Sequence, residues 1–338
     1  SLSSPFLPRK MSADTIPIHG IYPEVIGNAP LAERPSWLSP TGPGQKNVDP
    51  LKWTLTIEQW IWFIQACVNT DTWKVLATTR DDEYNVTMYD VNDHFVKPWT
   101  RGTGNSIALL MNPDVEEHKP ATLMISHAWG GSVFETYNCL QNLCNQENVP
   151  FTTPIFFCAF SMYQPEDSAT EGLPMSAAEG LMISEQLKLD PFAQIINSKP
   201  HHGLQVLHTT IKEVYTRMWT VYEVDEGTTS EVPISGLFDV YQWTLEKLKE
   251  AQTTIKTEDS ECKDIDKKML TEKIEASGGF QRLDEVITKF RDKMSSALQK
   301  QLKKEPSAFD ETTGENETHL FQQDWWYCEH PNNWTRIE

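Results

Sequence analysis

The fold can be read outward from the stretch 121–131, Ala-Thr-Leu-Met-Ile-Ser-His-Ala-Trp-Gly-Gly. Thr122 to Ser126 is a short, nearly all-apolar run, as expected of a strand buried on both faces of a parallel sheet. Two polar residues, Ser126 and His127, follow the apolar run. Gly130 and Gly131 come next, a pair that lets a ligand approach the backbone where a helix begins. Helical spacing then appears at Val133, Phe134, Tyr137, Leu140 and Leu143. Farther along, a second strand is predicted over Ile155 to Phe160. A third, Leu204 to His208, follows a helical segment over Ala193 to Ser198. A fourth, Val232 to Ser235, follows a helical segment over Val214 to Val224. Four such alternations predict an α/β fold, a doubly wound parallel sheet with helices on both faces. Its ligand crevice is expected beyond the carboxyl ends of the strands.

The flanks read differently. Residues 1–50 carry nine prolines and no sustained apolar period, which predicts an extended arm anchored by aromatics such as Tyr22 and Trp37. Within 51–118, Thr56 opens a Thr-x-x-Gln capping box. Ile57, Trp60, Ile61, Ile64 and Val68 then line one helix face. Alternation from Tyr84 to Tyr89, with Gly102 and Gly104 beyond, predicts a short hairpin or loop leading into the α/β domain, 119–238. After Phe238 no strand is expected: 239–304 reads as a helical extension broken at Gly278 and Gly279, and 305–338 as an acidic, aromatic-rich tail that docks.

Composition limits the function. The chain of 338 residues carries 29 basic and 48 acidic side chains, a net charge of −19, so a phosphate-neutralising surface would work against the field of the whole molecule. Nucleic acid is not expected as a partner. The longest apolar approach, Trp60 to Val68, is too short to span a bilayer, so no transmembrane segment is expected. Six cysteines without a CxxC pair suit a reducing compartment, and a cytoplasmic location is the default, with an organellar or secreted destination left open. Adjacent His201 and His202 point in different directions and lack a suitably placed Cys or Asp, so no metal is expected.

Three segments remain at the places where a doubly wound sheet holds ligands: Ser126 to Gly131, Phe160 to Gln164 and Arg217 to Glu223. Taken singly, each also fits an ordinary structural role, a βα turn in the first case and a buried Trp beside a solvated Glu in the third. Taken in order, the segment from about Pro120 to Glu223 resembles the Toll/interleukin-1 receptor (TIR)-like domains of algae and other protists. In those domains Ser-His-x-Trp-Gly ends one strand, an Asn-Gln or similar pair follows the next, and Arg-x-Trp-Cys-x-x-Glu lies on a helix. Here the matches are Ser126-His127-Ala128-Trp129-Gly130, Tyr163-Gln164 and Arg217-Met218-Trp219-Thr220-Val221-Tyr222-Glu223. Thr220 stands where the family has Cys, and Tyr163 where it has Asn.

The resemblance implies a flavodoxin-like TIR-type sheet and, in enzymatic members, cleavage of the nicotinamide–ribose bond of NAD by the motif Glu, here Glu223. Ser126, His127, Trp129, Gly130, Gln164, Arg217 and Trp219 would then contact NAD as substrate, with Trp219 either walling the site or packing beneath its helix. It implies equally a second role, a non-catalytic self-associating or adaptor module in signalling. In that role the arm, the extension or the tail would mediate assembly.

Overall fold

The computed structural model describes residues 30–164, 182–251, 256–262 and 264–304, and the backbone of two short strands in 325–337. In chain order, β1 (Leu55–Thr56) runs into α1 (Ile57–Val68), whose start carries the complete Thr56/Gln59 capping box. α2 (Asp71–Thr79), α3 (Met88–Val91), a π-turn over Asn92–Val96, α4 (Lys97–Thr100) and α5 (Ile107–Met111) follow. Of the hairpin or loop expected here, no hairpin forms; short helical turns take its place. The alternation at Tyr84–Tyr89 conceals a second capping box, in which Thr87 and Asp90 each satisfy the other's backbone N–H, so the chain coils at that point.

The α/β unit comprises β2 (Leu123–Ser126), α6 (Val133–Glu147), β3 (Pro154–Phe157), α7 (Cys158–Ser161), α8 (Ile183–Lys188), α9 (Pro191–Asn197), β4 (Leu204–His208), α10 (Met218–Thr229) and β5 (Ile234–Phe238). The sheet order is β1-β3-β2-β4-β5. β2, β3, β4 and β5 are parallel, and β1 is antiparallel at the edge of β3. The parallel strands, counted in chain order, run 2-1-3-4, the flavodoxin-like arrangement, whose switch point lies between β2 and β4.

Three boundaries differ from expectation, each for a local reason. The second strand stops at Phe157 because the Ser161 hydroxyl accepts the Phe157 N–H at 2.9 Å, turning Cys158–Ser161 into a helical turn. The fourth starts after Pro233, whose carbonyl accepts from Leu204. Gly203, at φ 72°, is required there, since a Cβ would sit 2.2 Å from that carbonyl oxygen. The third motif's helix begins at Met218 rather than Val214: Val214–Thr216 is a 3-10 turn, and Arg217 is extended, bridged to Glu261.

Alternating strand residues fill two faces. Leu123, Ile125, Ile155, Phe157 and Leu207 join α1 and α6 in the main core. Met124, Phe156 and Leu204 pack with Phe192, Ile195 and Ile196 of α9. Val206 lies under α10, α12 (Asp264–Ala276) and α13 (Gly279–Lys304). The positive φ angles of Gly278 and Gly279 make the expected break between α12 and α13. α11 (Leu245–Ala251) packs on α13 through Trp243, Leu248 and Leu298.

The described part of the arm, from residue 30, is folded onto the core: Leu38 and Val48 are buried, and Trp37 meets Trp62 with ring centroids 3.9 Å apart. Gln45 is buried and ties three segments together, its amide donating to the Ser161 carbonyl at 2.9 Å and accepting from Ser106 N–H at 3.0 Å. Tyr22 and the rest of 1–29 lie outside the described residues. The tail contains two strands that the sequence does not announce, β6 (Trp325–Cys328) and β7 (Trp334–Ile337), which pair antiparallel. No helix among the described residues is long and apolar enough to cross a membrane.

Candidate functional site

Strand alternation fixes the first motif. Ser126 is the last residue of β2 and shares the face of Met124, the side on which α10 runs, whereas His127 falls on the opposite side against Phe157. α10 brings Glu223 over the strand end, and the Ser126 hydroxyl donates a short hydrogen bond to the Glu223 carboxylate. Both groups are sealed, with exposures of 1% for Ser126 and 4% for Glu223. Burial pushes the Glu223 carboxyl up to about 8, against the opposing pull of the Ser126 hydroxyl and the Arg217 guanidinium. At neutral pH this group is mostly protonated.

Arg217 sits just before α10, close enough to influence Glu223 and His127, and donates to the Tyr89 phenol at 2.9 Å. Tyr89 in turn gives its backbone N–H to the Trp129 carbonyl at 3.1 Å, and its ring lies 5.5 Å from that of Trp129. His127 is 9% exposed, and neither ring nitrogen has a partner within hydrogen-bond geometry among the described residues. Burial, reinforced by the Arg217 charge, pushes its imidazole down to about 3, so it is neutral. Its ring is nearly parallel to that of Trp129, at 14° and 6.4 Å.

The first and third motifs therefore meet at one place, on the switch point of the sheet. The remaining expected residues have other neighbours. Gln164 is buried beyond α7 and donates to the Met162 carbonyl at 3.4 Å. Gly130 lies under the Lys212 side chain, which reaches on to Glu261 at 3.1 Å. Trp219 is taken up by packing: its ring lies 4.6 Å from that of Phe192, and its indole N–H donates to Asp266 at 3.3 Å. His201 and His202 sit in the turn before β4 with ring centroids 4.7 Å apart, and His208 lies apart from both, at the strand's other end and stacked on Phe238. Among the described residues no group of three or more His, Cys, Asp or Glu is arranged to hold a metal ion.

Sequence reasoning missed three members of this neighbourhood. Tyr89 lies 128 residues from Arg217, and no local pattern announces the contact. The Cys158 thiol, on a half-buried residue beside Trp129 and Glu223, is pushed up to about 12, chiefly by desolvation, which leaves it inert as a nucleophile. Glu135 had a visible signal, a Ser132-x-x-Glu135 capping pattern, but its carboxylate does not turn back to the helix start. It accepts the Thr210 backbone N–H at 2.8 and 3.0 Å and the Thr210 hydroxyl at 2.7 Å. That staple holds the β4–α10 loop against α6. Beside it Gly131 lets the two loops close, since a Cβ there would meet the Thr209 hydroxyl at 2.9 Å.

Comparison of the chain with protein-family models, with curated proteins and with solved structures gives no match.

Proposed function

We propose that the chain is a TIR-like protein whose Glu223, paired with Ser126, cleaves the nicotinamide–ribose bond of NAD. One observation carries this reading: a buried carboxyl, pushed up to about 8 and bonded to a single hydroxyl, stands at the switch point of a flavodoxin-like sheet. Strongly perturbed carboxyl groups at the switch point of such a sheet are candidates for chemistry.

The nicotinamide nitrogen of NAD is already cationic, so the bond can break with its electron pair passing to that nitrogen and no general acid is required. The ribosyl cation left behind is stabilised by an anion, which is the role of ionised Glu223. A water then adds to the sugar carbon and gives its proton to the same carboxylate. The positive charge of an entering nicotinamide ring favours the ionised form of Glu223, while Ser126 donates to the carboxylate and holds its orientation. Neutral His127 and Trp129, on the other side of the strand end, offer flat, uncharged walls.

A second reading, a non-catalytic self-associating or adaptor module, is favoured by the burial of both members of the pair, which closes the carboxylate off from solvent. The deciding experiment is release of nicotinamide from NAD by purified wild type and Glu223→Gln at high protein concentration. Release by wild type alone supports the enzyme. No release by either, assembled or monomeric, leaves the module. Equal release by both moves the chemistry away from Glu223.

A further inference from the structure

The Ser126–Glu223 pair stands at the switch point of the sheet and is shut off from solvent. The residues around it belong to two parts of the chain, each anchored through its own main chain. On one side, α3 is fastened to the loop after β2. Thr87 bridges Ser132, Val133 donates its N–H to the Val86 carbonyl at 3.0 Å, and Tyr89 donates its own to the Trp129 carbonyl at 3.1 Å. On the other side, the chain entering α10 is fastened to the loop before α12. The Met218 N–H donates to the Glu261 carbonyl at 3.1 Å, and the Glu261 N–H to the Thr216 carbonyl at 2.6 Å. The Glu135–Thr210 staple holds the same loop farther upstream.

What joins Tyr89 of α3 to Arg217 is made of side chains. The Arg217 guanidinium donates to the Tyr89 phenol at 2.9 Å, and the Tyr89 ring lies 5.5 Å from that of Trp129. Glu223, His127 and Cys158 all feel the one guanidinium charge, which places it beside all three buried groups. Its far side meets water, for Tyr89 is 42% exposed and Arg217 partly so.

We propose that Arg217 and Tyr89 form a side-chain gate over the Ser126–Glu223 pair, opened by an anionic group that draws the guanidinium away from the phenol. Its use in admitting a substrate rests on the reaction proposed above; the gate itself does not. A neutral phenol offers a guanidinium one acceptor atom. Phosphate or carboxylate offers charge and two parallel acceptors, and so competes well for the same group. Opening needs rotation of two solvent-facing side chains, a picosecond-to-nanosecond event, and leaves the main-chain bonds on both sides in place. Binding of an anion at the rim is thereby coupled to uncovering of the carboxyl beneath it.

The test reads access to the gated space without any turnover. Cys158 lies on the Ser126 side of the sheet, beside Glu223, so its alkylation by iodoacetamide, followed by peptide mass spectrometry on the full-length chain, reports the opening. Tyr89→Phe keeps the ring on Trp129 and the charge of Arg217 and removes the acceptor alone. Its Cys158 should react about fivefold faster than that of wild type, the change expected from losing one hydrogen bond. Inorganic pyrophosphate should speed the reaction in wild type and add little in Tyr89→Phe. Cys139, 1% exposed in the main core, reports general unfolding and should stay unlabelled throughout. Equal Cys158 rates in wild type and Tyr89→Phe, a rise shared by Cys139, or a wild-type rate that pyrophosphate does not raise overturns the gate. Faster labelling in proteins that release no nicotinamide upholds the gate while the reaction fails, so the two failures are told apart.

Discussion

Two glutamates are buried at the carboxyl edge of the sheet, and they are held in opposite ways. Glu135, on α6, spends its carboxylate on the Thr210 backbone N–H and hydroxyl, joining a helix to a loop. Glu223, on α10, has one hydroxyl, that of Ser126. Burial raises both, Glu135 to about 7 and Glu223 to about 8. Equal burial therefore does not distinguish structure from chemistry. The number and kind of partners do: a carboxylate saturated by main-chain and hydroxyl donors is a staple, while one with acceptor sites left over has something to offer a substrate.

The largest effect expected from this contrast is on turnover. Glu223→Gln keeps the size and can still accept from Ser126, so the melting temperature at pH 7 should hold or rise. Nicotinamide release should fall on the order of a hundredfold or more, since the anion is gone. A large loss of stability in this variant would place Glu223 with Glu135 among the staples. Conversely, Glu135→Ala should cost about 2–3 kcal/mol in urea unfolding by stranding the Thr210 N–H and hydroxyl, while Glu135→Gln, whose carbonyl still accepts, recovers most of it. No loss in the alanine variant would show that the staple is replaceable by water.

Both glutamates should appear in the pH dependence of stability, opposed by two histidines. Glu135 and Glu223 have folded values raised above 4.5, so their contribution is full below pH 4.5 and is lost as pH rises through about 7 and about 8. His127 and His208 are lowered from 6.5 to about 3, chiefly by burial, so their contribution is full above pH 6.5 and is lost as pH falls toward 3. Between 4.5 and 6.5 these two histidines and two glutamates offset one another, while Glu58, Glu83, Glu213 and Asp239, also raised by burial, and His94 and His202, also lowered, add smaller slopes of the same two signs. A broad maximum in melting temperature around that window is expected, with decline on both sides. Glu223→Gln should flatten the alkaline decline. An unchanged alkaline limb would show that Glu223 is not protonated in the fold.

The smallest effect concerns the cation beside the pair. Arg217 lies partly exposed, bonded to Tyr89, so Arg217→Ala should change stability by less than about 1 kcal/mol. Removing its charge should nevertheless shift the alkaline limb and the pH profile of nicotinamide release upward, because the Glu223 carboxyl loses the cation that favours its ionised form. Profiles that coincide with wild type would remove Arg217 from the site.

Much of this architecture is legible in the chain itself. The apolar runs 122–126 and 204–208, buried on both faces, can hardly serve as anything but inner strands of a parallel sheet, and the helical spacings between them impose crossovers; the flavodoxin-like strand order is expected only from the resemblance and is seen in the structure. The polar residues closing β2 and the Arg217–Glu223 segment are visible as residue types at strand ends. Their meeting is not, because the Ser126–Glu223 bond spans 97 residues and depends on how α10 crosses the sheet. Local chemistry hides other features. A capping box at Thr87–Asp90 looks like strand alternation, and the Ser132–Glu135 capping pattern conceals a carboxylate turned to Thr210. Periodicity along the chain thus sets the layers, and the structure supplies their order. Tertiary packing alone chose which carboxylate became a staple, which was left with a single hydroxyl, and how far each moved from its ordinary pKa. Desolvation and partner geometry belong to the assembled interior, not to any stretch of chain.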